Sequence, residues 1–267
     1  MINQMFKKFI ISEELTDLLA KRHDVVIPEC HEEILSMALG NKENDLFKVV
    51  YDVPGFGKIN EVTVTRCNNG AIVNYTDADM RRRGPDCMVI ADKKETDKPR
   101  YRDIYGDNFQ SLRKDTFKWL KTQKLLLLPF MVGGMELGYP AILVAPQNAA
   151  FFAGGLADLQ GFIPRSQIPK DFKPRAAIFL APPFRHTHFD GKQVVVHNRL
   201  TDMHELFSYN LYPCPSAKKG IYEILLNIGE QEGWVTVHGS TVEGATYFHE
   251  SSSCTGIYLP NLGAYNG

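Results

Sequence analysis

The apolar residues of this chain recur every three or four positions in some segments and run continuously in others. The first pattern predicts helices, at residues 10–22, 31–39, 107–123 and 216–228. Ser12, followed by two glutamates, suits the start of the first helix, and Gly40 suits the end of the second. In the last helix Pro215 fits the first turn and Gly229 is the expected stop.

Alternation and short continuous apolar runs predict the strands. Residues 59–64 alternate, residues 68–70 (Asn-Asn-Gly) form a turn and residues 71–73 continue, which predicts a β-hairpin. Buried strands are predicted at 125–128, 141–145, 176–180 and 192–196, and further strands at 88–91, 234–237 and 245–248. The glycine pairs at 133–134 and 154–155 are interpreted as turns. Because strands alternate with helices, the predicted fold class is α/β, with a mixed or largely parallel sheet flanked by helices.

The composition is that of a folded protein with no strong charge bias. Of 267 residues, 44% are hydrophobic and 23% charged, and the net charge of −1 argues against a nucleic-acid-coating protein. The five cysteines are scattered without a CxxC pair, which predicts reduced thiols. The N-terminus does not resemble a signal peptide, and the run Leu125–Val132 is too short to cross a bilayer. We therefore expect a cytoplasmic protein with neither a membrane nor a nucleic acid as partner.

A run of three arginines is the first candidate for chemistry. Residues 81–83 are all arginine, and Gly84-Pro85 follows them between two predicted strands. Such a loop can aim a guanidinium at a carboxylate or phosphate, which arginine binds through two parallel hydrogen bonds. The alternative is an exposed, solvated loop.

Two further candidates follow later in the chain. Lys218 and Lys219 lie in the first turn of the predicted helix 216–228, where cations oppose the helix macrodipole, so an anion could compensate them. His238 ends a predicted strand and precedes small residues, so it could face a cleft at the end of a sheet. The alternatives are that the lysines are simply solvated and that the histidine lies in the core with its hydrogen bonds satisfied there.

Other motifs are set aside. His186 and His188 follow Pro182-Pro183, which predicts a loop, and they are excluded from the candidate site. The sequence contains no GxGxxG, GxxxxGK[ST] or GxSxG motif.

Taken together, three stretches of this chain resemble ATP-dependent phosphoenolpyruvate carboxykinase. They are Gly70 through Arg83-Gly84-Pro85 to Ile90, then Phe172-Lys173-Pro174 with Ala177-Ile178-Phe179, and finally Lys218-Lys219-Gly220-Ile221-Tyr222 with Val237-His238-Gly239-Ser240. The last stretch is the most specific, because Lys219 and His238 are 19 positions apart, as in that family. The resemblance implies a carboxykinase N-terminal-domain-like fold at 1–230 and the beginning of a nucleotide-binding domain at 231–267.

The resemblance also implies roles for these residues. Arg83, with Arg82 beside it, would hold the carboxylate of a small carboxylate or phosphorylated acid. Lys219 and His238 would bind Mn²⁺ or Mg²⁺, and Lys218 would face the transferring phosphate. Tyr212 would contact the substrate, although the family's tyrosine position is occupied here by Pro213.

ATP binding is doubtful on the same comparison. Where the family has a glycine-rich loop with lysine, residues 249–256 contain no lysine, so ATP phosphates have no evident cradle. The leading hypothesis is therefore a carboxykinase-like part of a longer lyase or phosphotransferase, inactive by itself. The alternative is a non-catalytic module that senses a small acid, or a scaffold that retains only the fold.

Overall fold

The computed structural model describes residues 6–41, 46–81, 88–91, 98–106, 108–134, 138–243 and 248–259. Within 235–243 and 248–259 it describes the backbone. The protein is α/β with a mixed sheet flanked by helices, which confirms the coarse fold class predicted above. Its division into two domains stays a prediction.

Twelve strands are present in the described ranges. They are β1 Val25–Val26, β2 Leu46–Val53, β3 Gly57–Arg66, β4 Ile72–Thr76, β5 Met88–Ala91, β6 Leu125–Val132, β7 Tyr139–Pro146, β8 Ala176–Leu180, β9 Val194–Asn198, β10 His204–Tyr209, β11 Val235–Glu243 and β12 Phe248–Leu259.

Eight α-helices and one π-helix lie between them. The α-helices are α1 Glu13–Leu19, α2 His31–Ala38, α3 Ala78–Arg81, α4 Tyr101–Tyr105, α5 Phe109–Lys121, α6 Ala150–Gln160, α7 Phe184–His188 and α8 Ile221–Glu232. The π-helix spans Cys214–Gly220 and continues directly into α8. None of the described helices is long and apolar enough to cross a membrane.

The main sheet has seven strands in the order β1-β6-β7-β8-β10-β9-β5. The three central strands, β7, β8 and β10, are mutually parallel, whereas β6 and β9 on their two sides are antiparallel to them. We call the edge where β7, β8 and β10 end the carboxyl edge, and the opposite one the amino edge. Strands β2, β3 and β4 form a separate antiparallel sheet, and β11 pairs with β12 in another.

Both faces of the main sheet are covered. On one face Leu128, Leu143 and Ile178 belong to a core shared with α2, α6, α8 and the inner side of β2 and β3. On the other face Phe179 and Phe207 pack with α1 and α5. A strand that is buried on both faces needs apolar residues at every position, which explains why these strands read as continuous apolar runs.

Most predicted elements are confirmed with shifted ends, including the hairpin of β3 and β4 and the Ser12 cap, which accepts a hydrogen bond from the Leu15 amide. The structure adds β2, β10 and α6, which the pattern did not indicate. Residues 245–247 of the predicted strand 245–248 lie outside the described residues, and β12 begins at Phe248.

Of the two glycine pairs interpreted as turns, the second is wrong and the first is confirmed. Gly154 and Gly155 are not in a turn but inside α6, where Gly154 faces Leu35 of α2 and Gly155 faces Pro213, so their lack of side chains allows close packing. The pair at 133–134 does adopt positive φ, as a turn requires.

The last predicted helix and the histidine loop also need correction. Helical structure starts as a π-helix at Cys214, and α8 continues past the buried Gly229 to Glu232, ending at Gly233 with φ 73°. His186 and His188 lie in α7 rather than in a loop. Pro183 is the N-cap residue of this helix, where the missing N–H of proline costs no hydrogen bond within the helix.

Candidate functional site

A buried asparagine at the carboxyl edge joins three segments of the chain. Asn210, directly after β10, is fully buried and its Nδ2 donates to the Met80 carbonyl oxygen at 3.3 Å and to the Gln193 side-chain oxygen. Its Oδ1 accepts from the Tyr212 amide. Met80 immediately precedes the arginine run, and Tyr212 lies two residues before the π-helix that carries the lysine pair. One side chain therefore fixes where both candidate segments begin.

The described residues on both sides of the arginine run lie at the carboxyl edge. Arg81 is the last residue of α3, while Arg82 and Arg83 lie outside the described residues. On the far side Met88 opens β5 and pairs with Val195 of β9, near the amino end of that strand. Since β9 runs antiparallel to β10, this end of β9 belongs to the carboxyl edge. Ligands of open α/β sheets commonly bind at such an edge.

The lysine pair is exposed, whereas its helix is held tightly. Within the π-helix Ser216 is buried and its hydroxyl donates to Ser208 Oγ at 2.5 Å. A side chain at Gly220 would overlap Leu206, so this position sits directly against the sheet. Lys218 and Lys219 point away from that contact and are exposed. Single-turn π segments are frequent at functional sites.

The macrodipole argument for the lysines is wrong. Helical structure begins at Cys214, so Lys218 lies about one turn inside it, where the field of the helix end has already declined. The lysines need no anion to compensate an unfavourable helix start. The lysines remain candidates for the site because the π-helix that carries them is attached to the carboxyl edge.

His238 is connected to the lysines through a long helix. Glu232, the last residue of α8, accepts a hydrogen bond from the Tyr139 hydroxyl at 3.0 Å and pairs with Arg175. Tyr139 begins β7 and Arg175 precedes β8, so α8 runs from the carboxyl edge to the amino edge, about 18 Å for its 12 residues. His238 then follows in β11, opposite Gly256.

The metal assignment stays a prediction for two reasons. The His238 side chain lies outside the described part of the structure. Among the described residues no three His, Cys, Asp or Glu side chains come together in a way that could hold a metal ion. A dication site would therefore have to draw on Lys219, His238 and donors beyond those ranges.

A buried carboxylate, arginine and histidine lie close to this edge. Glu61 on β3 is 1% exposed, and its Oε2 accepts from Arg185 Nε at 2.8 Å. His186 Nε2 lies 2.5 Å from Glu61 Oε1. Arg185 Nη1 also donates to the Gly191 carbonyl oxygen, and Nη2 lies 3.7 Å from Asp77. Both charges are buried, and each is paired, as burial requires.

This cluster could not be recognised from the sequence pattern, because a β-bulge creates it. The pairing of β2 with β3 shifts between Val49 and Val50, so Glu61 has no partner across the ladder and is buried next to buried Val62. Without that shift, strict alternation would place one of these two neighbours in solvent. In the sequence Glu61 therefore resembles an outward-facing residue of a hairpin.

A second buried network ties α5 to the main sheet. Arg113 donates to both oxygens of Glu205, at 2.7 and 2.6 Å, and to Glu14 of α1. Asn198 Nδ2 donates to Glu205 Oε2 at 2.6 Å. Burial disfavours the Arg113 charge, but the hydrogen bonds to the two carboxylates outweigh it and raise the Arg113 pKa. The network satisfies every buried charge it contains, which indicates a structural role.

Two histidines lie back to back in the adjacent strands β9 and β10. His197 Nε2 and His204 Nδ1 are 3.1 Å apart. Burial, followed by the nearby His204 and Arg199, lowers the pKa of His197 to about 3, and burial also lowers the pKa of His204. Both imidazoles are therefore neutral near pH 7, and one proton lies between them.

A cleft of about 430 Å³ opens where β7 ends at the carboxyl edge. Asn148, Gln147 and Lys124 give it a polar side, and Met37 and Phe47 an apolar one. The Tyr51 hydroxyl donates to Asn148 Oδ1 at 2.8 Å, and burial raises the pKa of this phenol, so it stays protonated. The cleft thus has oriented amide groups but no buried charge among the described lining residues.

Comparison with known proteins gives a family but no activity. No curated protein matches the chain. A family model described as a domain of unknown function, DUF4914, matches residues 11–255, which include every candidate residue discussed above. The match covers more than nine-tenths of the 267 residues, and the chain therefore belongs to the DUF4914 family.

Proposed function

We propose that this chain binds a small carboxylate or phosphorylated acid at the carboxyl edge of β8 and β10. The observation that carries the proposal is the attachment of both the arginine run and the lysine segment to one buried side chain, Asn210. Guanidinium and ammonium groups meeting at one edge would suit an anion with two acidic ends. The ligand would be held by Arg83 and Arg82 at its carboxylate and by Lys218 at its phosphate or second carboxylate, with Tyr212 alongside.

The finer assignment is a carboxykinase-like N-terminal fold belonging to a lyase or phosphotransferase. The resemblance of the motifs supports it, and so does the order in which arginine run, lysine pair and His238 follow the strands of the α/β sheet. In that assignment Lys219 and His238 would hold Mn²⁺ or Mg²⁺, and the dication would polarise phosphoryl oxygens.

The second candidate is a binding module that senses such an acid without nucleotide chemistry. The absence of lysine from residues 249–256 favours it, because ATP phosphates need convergent amides and a cation. Binding of the acid is common to both candidates, and only a response to ATP separates them.

Isothermal titration calorimetry with phosphoenolpyruvate and oxaloacetate tests the shared claim. We expect Arg83→Gln to weaken binding by about tenfold to 100-fold, since it removes a charge-assisted bidentate contact. Arg102→Gln is the matched control, because Arg102 is 74% exposed on α4 and should bind like the wild type. Equal affinity of wild type and Arg83→Gln would refute the site.

Two further titrations separate the finer claims. Mn²⁺ titrated into wild type and His238→Ala should give different isotherms if His238 is a ligand, and identical isotherms remove the metal assignment. ATP titrated into the acid-bound protein should release heat only for the carboxykinase-like candidate. Acid binding with no response to ATP supports the sensor.

A further inference from the structure

The Glu61–His186 pair fixes the position of a proton. A carboxylate only accepts hydrogen bonds, and Glu61 already faces the Arg185 guanidinium through its other oxygen. The hydrogen in the 2.5 Å contact between Glu61 Oε1 and His186 Nε2 therefore belongs to the imidazole. In the neutral ring this leaves the lone pair on Nδ1. The pair thus holds the imidazole in the tautomer that can accept a proton at Nδ1.

The His186 side chain keeps a small solvent-exposed surface. Its side chain is 11% exposed, next to the exposed ring of Phe56 in the β2–β3 turn, at a centroid distance of 5.8 Å. Its neighbour Arg185 lies 3.7 Å from Asp77, the residue just before α3, and α3 leads into the arginine run. The imidazole and the start of the proposed acid-binding segment therefore lie in one neighbourhood.

The cluster contains more than a structural ion pair requires. Arg185 and Glu61 would neutralise each other without a histidine, and Arg185 is further satisfied by the Gly191 carbonyl oxygen. His186 consumes the second carboxylate oxygen, and no described residue forms a hydrogen bond with its Nδ1. A carboxylate that orients an imidazole and leaves its other nitrogen without a hydrogen bond to any described residue is the arrangement of a general base and its positioning residue.

We propose that His186 is a catalytic base, positioned by Glu61, which removes a proton from the carbon next to the carbonyl of a bound 2-oxo acid. This rests on the proposed function, because the arginine run would hold the carboxylate of the same acid. The C–H bond breaks and its proton passes to His186 Nδ1. Its electron pair forms the C=C bond, and the carbonyl electron pair moves to oxygen, giving the enolate. Return of the proton restores the acid, so the step needs no nucleotide.

Proton exchange of pyruvate in D₂O tests the step directly. The full chain should speed the loss of the pyruvate methyl signal in ¹H NMR beyond the rate in buffer alone. His186→Gln should reduce this protein-dependent rate by about 100-fold or more. His188→Gln is the matched control, because His188 lies on the same short helix with its Nδ1 bonded to Thr187. Circular dichroism establishes that both variants are folded.

Pyruvate binding, measured by calorimetry on the same samples, separates the two proposals. Binding without protein-dependent exchange overturns the base and leaves the acid site intact. Exchange that is equal in wild type and His186→Gln overturns it too. Exchange that depends on His186 but is unaffected by Arg83→Gln supports the base and refutes the arginine site. If the protein shows no pyruvate binding and no proton exchange, both proposals are refuted.

Glu61 is tested through the tautomer, which a merely structural residue would not set. In ¹⁵N NMR the His186 ring should carry its proton on Nε2 and none on Nδ1, and the reverse assignment overturns the proposal. Glu61→Gln removes the acceptor-only group, so it should give a mixture of tautomers and about tenfold slower exchange with unchanged pyruvate affinity. An unchanged tautomer and unchanged exchange rate in Glu61→Gln would exclude a positioning role.

Discussion

As the pH is lowered, the protonation of His197 should destabilise this protein before the protonation of its carboxylates does. His197 is 1% exposed, and its Nδ1 has no hydrogen-bond partner among the described residues. Burial, then the neighbouring His204 and Arg199, lowers its pKa from 6.5 to about 3. The unfolded chain therefore binds a proton at a pH where the folded one does not. This stabilisation is complete above pH 6.5 and is lost as the pH falls from 6.5 towards 3.

The loss of stability can be calculated from the lowered pKa of His197. Each pH unit between the two pKa values costs about 1.4 kcal/mol, so the free energy of unfolding should fall by about 2 kcal/mol between pH 6.5 and pH 5. His204, whose pKa burial also lowers, acts in the same direction. Carboxylates with lowered pKa values, such as Asp24, act only at lower pH. The window from pH 6.5 to 5 therefore isolates the histidines.

Urea unfolding at pH 7.5, 6.5, 5.5 and 5.0 measures this dependence. His197→Gln keeps a neutral group able to bond His204 but cannot take up the proton, so its stability should fall by about 2 kcal/mol less across the window. The exposed His23→Gln is the control and should follow the wild type. If His197→Gln loses as much stability as the wild type between pH 6.5 and 5, the reasoning is wrong.

Three further substitutions test the packing around the sheet and the carboxyl edge. Arg113→Met leaves the 3% exposed Glu205 without its guanidinium, so urea unfolding should show a loss of about 3–5 kcal/mol, and a loss below 1 kcal/mol would contradict a buried ion pair. Gly220→Ala forces a methyl group into Leu206, and thermal unfolding should show about 1–3 kcal/mol of destabilisation. Asn210→Leu leaves the Met80 carbonyl unpaired, so calorimetry should show weaker binding of phosphoenolpyruvate as well as lower stability, whereas unchanged affinity would remove Asn210 as the anchor of the site.

The sequence predicted the strands of the main sheet better than its connections. Strands 88–91 and 176–180 have the predicted bounds, because a strand covered on both faces needs an apolar residue at each position. Strand β10 was not predicted, since His204, Glu205 and Ser208 interrupt its apolar run. These polar residues are satisfied by His197, Arg113 and Ser216, none of which is adjacent in sequence.

Glycine was the least informative residue in the sequence. Some glycines adopt positive φ, such as Gly133, and others allow two helices to approach closely, such as Gly154. The sequence alone does not distinguish these two roles. Only the partner tells them apart, and the partner of Gly154 is Leu35, more than 100 positions earlier. The same limit explains why Gly229 was interpreted as a helix stop although it is buried within α8.

At the candidate site, too, the residue types could be recognised from the sequence, but the contacts between residues far apart in sequence could not. The arginine and lysine runs were recognisable from residue types, but their common anchor depends on Asn210 contacting Met80, 130 positions away. Asn210 directly follows β10, which lies between β8 and β9 with β5 beyond, and this strand order is not encoded in any short window of the sequence. Likewise Glu61 meets Arg185 across 124 positions and only through a β-bulge. Residue types therefore indicate which chemistry is possible here, whereas the sheet order determines which groups can share a ligand.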